Sequence, residues 1–103
     1  MAEESTPIRV LIQHDFIDIA PKYLDTVRRS LGEIREAMAL SDMDTVRSMG
    51  HQMKGEGAPF GFELISQLGI KLQQAAESKD VESIATILDR LGHYLDSIVL
   101  ESA

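Results

Sequence analysis

Apolar residues recur at helical spacing through most of this chain. Leu24, Val27, Leu31, Ile34 and Met38 fall three and four residues apart, so they share one face of a helix. The pattern predicts a first helix from Pro21 to Ala39, opened by a proline at a position where its missing N–H is no loss. A second helix is expected to start after Ser41, a capping residue with Asp44 three positions on. It should end at Gly57 or Ala58, because Pro59 disfavours helical geometry in the residue before it. Leu64, Leu68, Leu72 and Ala75, with Ile65 and Ala76 beside them, form the stripe of a third helix over Phe62 to Ser78. Ile84, Leu88, Leu91, Leu95 and Ile98 form that of a fourth, capped by Asp80 and running from Val81 to about Leu100. Four amphipathic stripes joined by short links predict an all-α fold, an antiparallel up-down four-helix bundle over about residues 21–100.

Ahead of the bundle the period changes. Ile8, Val10 and Ile12 alternate with Arg9, Leu11 and Gln13, which is the pattern of extended chain. With no second strand to pair with, this segment is expected to be a short N-terminal arm packed on the bundle, followed by a helical turn over Asp15 to Ala20. Residues 1–7 are expected to be disordered. Neither a linker nor an internal repeat divides the 103 residues, so they read as one domain, 1–103, with one modest core.

Charge and cysteine content narrow the function. A net charge of −7 argues against general nucleic-acid binding, which needs a broad basic surface. It also makes Arg47, Lys54 and Lys71 stand out as a local basic group. The absence of cysteine excludes disulfides and thiolate zinc sites and fits a cytoplasmic location. The acidic N-terminus has no apolar signal core, and no apolar run approaches the ~20 residues of a membrane helix.

The candidate chemistry centres on His51. In a helix its neighbours at three and four residues are Arg47, Ser48, Lys54 and Gly55, while Val46, Met49, Met53 and Phe60 fall on the opposite face. The imidazole is therefore expected to face water between two cations and two small side chains. A neutral imidazole nitrogen is a nucleophile near pH 7. A glycine inside a helix costs roughly 1 kcal/mol relative to alanine, so stability alone does not ask for Gly55. Glu56 is expected to project toward the core side of a regular helix. His14 and His93 belong to no comparable grouping. The residues three before the histidines are Leu11, Ser48 and Arg90, so the Glu-x-x-His pairs of a di-metal bundle are missing. Neither metal nor cofactor is expected. Without a Gly-rich phosphate loop, a self-contained enzyme is not expected either.

At these residues the chain resembles a known family. His51, Lys54, Gly55 and Gly61, followed by Leu64, Leu68, Gly69 and Leu72-Gln73, are similar to the pattern of histidine-containing phosphotransfer (HPt) domains. The resemblance implies a phosphorelay intermediate that takes a phosphoryl group on His51 from a receiver-domain aspartate and passes it to another receiver. It implies that Lys54 stabilises the phosphate and that Gly55 leaves access. It also implies that an amide on the third helix orients the imidazole, with Gln73 favoured over its neighbour Gln74. Arg47 is added on helix geometry alone. The implied partners are response-regulator receiver domains and a hybrid sensor kinase, and a closed four-helix core needs no second copy, so a monomer is expected. Phe16, Ile17, Ile19 and Tyr23 are assigned to the docking face. Two points depart from related patterns: Glu56 stands where the family carries a small residue, and Gln52 stands where sensor-kinase dimerisation helices carry an acidic one. The competing expectation is a helical adaptor that binds protein partners without phosphate.

Overall fold

In a computed structural model that describes residues 6–103, four helices account for most of the chain: α1 (Ala20–Ala39), α2 (Met43–Glu56), α3 (Glu63–Glu77) and α4 (Val81–Ser97). The stripes read from the sequence are the faces that meet. Ile34 of α1, Val46 of α2, Leu68 and Leu72 of α3 and Leu91 of α4 are essentially inaccessible to solvent, and Phe62 joins them from the α2–α3 connection. Helix α2 lies along α3, α1 packs on both α2 and α4, and α3 packs on α4, so one continuous core runs between all four.

The α1–α2 and α3–α4 connections are built alike. In each, the chain leaves the helix through one non-glycine residue in the left-handed region, Ser41 (φ 55°) or Lys79 (φ 56°). The next amide then reaches back five residues, Asp42 to the Ala37 carbonyl (2.8 Å) and Asp80 to that of Ala75 (2.9 Å). This corrects the expected cap of α2. Ser41 is taken up by the end of α1, and Asp42 caps instead, accepting from the Thr45 amide at 3.1 Å. Asp80 caps α4 as expected, accepting from the Ser83 amide.

A larger correction concerns both ends of the described chain. Ile8–Ile12 is not a lone arm: it forms strand β1, which pairs in parallel with strand β2, Ile98–Ser102. Helix α4 therefore stops at Ser97, short of the expected Leu100, and Ile98 turns extended with ψ 137°. Two forces end the helix there. The Arg28 guanidinium of α1 donates to the Leu95 carbonyl at 2.9 Å, satisfying a group left free in the last turn. Ile98 and Val99 are β-branched and suit a pleated strand. Ile8, Val10 and Ile12 turn toward the core together with Ile98 and Leu100, and Leu11 and Val99 remain on the outer face. Arg9 and Glu101 form an ion pair across that outer face at 3.2 Å. The turn before α1 covers His14–Phe16, and α1 begins at Ala20. The expectation of disorder falls on residues 1–5, outside the described residues, and on Thr6 and Pro7, which are exposed. Among the described residues, no helix is long and apolar enough to cross a membrane.

Candidate functional site

Helix α2 carries its buried positions, Val46, Gly50 and Met53, on one side, and the buried Gly57 that caps it continues that side. The opposite side presents Arg47, Ser48, His51, Lys54 and Gly55 to solvent, as the spacing predicts. Among the described residues, neither Arg47 nor Lys54 has a carboxylate within ion-pairing distance. Around Gly55 a Cβ would meet nothing within 4 Å, so the flank of His51 is open. Glu56 is exposed rather than core-facing, because Gly57 takes the inward position at the end of the helix. The third cation of the expected basic group is elsewhere: Lys71 lines a groove between α3 and α4 with Gln74 and Arg90.

What holds the His51 turn is a seam of very small residues. Gly50 on α2 and Gly57, which caps its end, face Ser66 and Gly69 on α3. A Cβ at Gly69 would stand 2.5 Å from the Lys54 nitrogen and 2.7 Å from the Gly50 oxygen, the two atoms that close one helical turn around His51. A Cβ at Gly50 would stand 2.8 Å from the Gln73 nitrogen. The backbone of Gln73 thus lies across from the residue preceding His51. Gln73 is half-buried, and Gln74 is exposed in the α3–α4 groove. Among the described residues, no side-chain hydrogen bond links His51 to either amide. Ser66 completes the seam: its buried hydroxyl accepts from the Ala58 amide at 2.7 Å and donates to the Lys54 carbonyl at 3.0 Å. The sequence analysis missed Gly50 and Ser66. Their signal was present, since Gly50 and Gly57 share the stripe of Val46 and Met53.

The segment assigned to docking divides. Phe16 packs edge-on to Phe60 at 6.1 Å, and Tyr23 stacks on Phe60 (4.8 Å) and Phe62 (5.9 Å), so these aromatics close the core. Ile17 is half-buried, and Ile19 is exposed on the rim of a depression shared with Lys22, Glu56 and Phe60. The Tyr23 hydroxyl is buried without a partner among the described residues. Burial, and secondly the negative charge of Glu56, push its pKa well above the ordinary tyrosine value. Among the described residues no cluster of three His, Asp or Glu is placed to hold a metal ion.

On this four-helix core, among the described residues, a solvent-facing histidine shares its helix face with two cations that have no ion-pair partner. The profile of the Hpt domain matches residues 16–100, and the chain belongs to that family. Hpt domains carry out histidine phosphotransfer in phosphorelays, working with receiver domains as carriers rather than as catalysts. A search of the curated proteins found no match to this chain, and neither did a search of the solved structures.

Proposed function

We propose that this chain is a phosphorelay intermediate and that His51 is its phosphoacceptor. The observation that carries this reading is the exposure of His51 on the outer face of α2, with open space at Gly55 on its flank. An unprotonated imidazole nitrogen attacks the phosphorus of a receiver aspartyl phosphate. A P–N bond forms, and the P–O bond breaks with its electron pair leaving on the aspartate carboxylate. The same step in reverse delivers the group to a second receiver. Lys54, with Arg47 on the same face, balances the charge of the phosphoryl oxygens during transfer, where electrostatics supplies most of the help a protein can give. Gln73 is assigned to take up the N–H of the second imidazole nitrogen and fix its tautomer, a role supported by its half-buried place on α3 with its backbone opposite Gly50. Ile19 supplies the apolar part of the docking face.

In this reading the helices run antiparallel, up and down, and a cytoplasmic monomer meets a hybrid sensor kinase and a response regulator in turn. It uses no cofactor and has no self-contained enzymatic site. Incubation with a phosphorylated receiver domain tests it. The wild type should gain acid-labile phosphate located to His51 by mass spectrometry, and His51→Gln should gain none while keeping its helicity. Label persisting in His51→Gln would move the site elsewhere. Receiver binding without any label would make the chain a helical adaptor.

A further inference from the structure

We propose that Ser66 is a positioning residue for phosphotransfer, its hydroxyl fixing the Lys54 peptide and through it the Lys54 ammonium beside His51. The proposal rests on the phosphotransfer role of His51. Helix α2 ends at Glu56, so the Lys54 carbonyl and the Ala58 amide would be the next pair to bond across a turn if the helix continued. They do not bond to each other. The Ser66 oxygen stands between them, accepting from Ala58 at 2.7 Å and donating to Lys54 at 3.0 Å; the Met53 carbonyl, at 3.5 Å, is the more distant acceptor.

A hydroxyl at this position is unusual enough to need a reason. Ser66 is 6% exposed, and apart from Ser97 it is the one buried polar side chain among the described residues. A buried hydroxyl is costly unless bonded, and here both of its capacities are used. At the other end of the same residue, the bare α-carbon of Gly69 lies against the Lys54 nitrogen. Ser66 and Gly69 are three residues apart and share one face of α3. Together they hold the Lys54 backbone at its nitrogen and at its carbonyl, so Lys54 leaves the helix at a fixed height relative to His51. Without the hydroxyl, the Lys54 carbonyl and the Ala58 amide lose the atom that joins them, and the Lys54 backbone is no longer fixed at its carbonyl.

The test is a double-mutant cycle on the rate of transfer from a phosphorylated receiver domain, read as acid-labile label at a temperature where every variant is folded. Ser66→Ala should slow transfer about three- to tenfold in the wild-type background and change nothing further in a Lys54→Ala background. The isosteric pair Ser66→Thr and Ser66→Val separates hydroxyl from shape if alanine unfolds the chain: threonine should transfer like wild type and valine like alanine. Amide exchange at Ala58 should accelerate in the alanine and valine variants only. Equal slowing in both backgrounds, or transfer by Ser66→Val at the wild-type rate, would overturn the role of Ser66 alone. No label on the wild type would overturn the phosphotransfer reading and this proposal with it.

Discussion

Gly50 and Gly69 meet backbone to backbone. A Cβ on Gly50 would stand 2.9 Å from the Gly69 oxygen, and one on Gly69 would stand 2.7 Å from the Gly50 oxygen. Main chain cannot swing aside, so a methyl group at either position must push α2 off α3. Gly69→Ala should therefore destabilise the fold by about 1–3 kcal/mol, even though alanine is the better helix former. Urea unfolding measures this, and an unchanged midpoint would mean that the helices lie further apart than described.

The same substitution at Gly55 should have the opposite sign. No atom lies within 4 Å of a Cβ there, and the position is exposed inside a helix. Gly55→Ala should stabilise by up to about 1 kcal/mol. Gly55→Leu should fold as well and yet slow transfer from a receiver, because its side chain fills the approach to His51. Transfer at the wild-type rate by the leucine variant would remove access as the reason for this glycine.

Ser41 and Lys79 hold left-handed backbone without being glycine. That conformation costs about 1–2 kcal/mol for an ordinary residue. Part of the relief is lost to the greater freedom of glycine in the unfolded chain. Ser41→Gly and Lys79→Gly should each gain about 0.5–1 kcal/mol. Gly61, at φ 98° and with the Ile12 Cδ1 atom 2.9 Å from where a Cβ would sit, should show the reverse on substitution by alanine. Thermal melts of the three variants check the signs together.

Asp42 and Asp80 each accept from a hydroxyl and a backbone amide, at 2.6 and 3.1 Å from Thr45 and at 2.7 and 3.1 Å from Ser83. These bonds to the charged form, the hydroxyl's first, hold both carboxyls below the ordinary value of 3.8. A lowered folded pKa gives stability that is complete above the unfolded value and is lost as pH falls through the folded one. Stability should decline below about pH 4. Asparagine caps as well as aspartate but does not titrate there. The variant carrying Asp42→Asn and Asp80→Asn should therefore match wild type at neutral pH and lose less stability on acidification. Identical acid slopes would show that the caps carry no pH dependence.

Tyr23 offers a simpler test. Its hydroxyl is buried and unbonded among the described residues, and such a group costs about 1–3 kcal/mol in lost hydration. Tyr23→Phe keeps the stacking on Phe60 and Phe62 and should stabilise the fold by about 1 kcal/mol. A destabilised variant would reveal a partner for the hydroxyl.

The stripes of α1, α3 and α4 were legible because each is a run of large apolar residues at one period, with Leu24, Leu68 and Leu88 as plain examples. His51 was legible because it falls opposite such a stripe. The seam beneath it was not, since Gly50 and Ser66 carry no apolar signal and their importance lies in what another helix brings against them. The strand pair was hidden for a related reason. Ile8–Ile12 reads as a strand only when a partner is known, and Ile98 continues the helical period of α4 until β1 competes for it. Ser41 misled because a good capping residue is also an acceptable left-handed one, and the choice between them is made by where α1 ends.

The pairing of β1 with β2 works as a clasp. It joins positions about ninety residues apart, Ile8 to Ile98 and Ile12 to Ser102, so it closes almost the whole described chain into a loop. Closing so long a loop carries a large entropic cost that local helix formation does not. The clasp is therefore expected to shut late in folding, after the helices have brought its halves together. A chain emerging from a ribosome could not fasten it until β2 appeared. Removing either half would release the other at once, freeing two distant segments with a single cut.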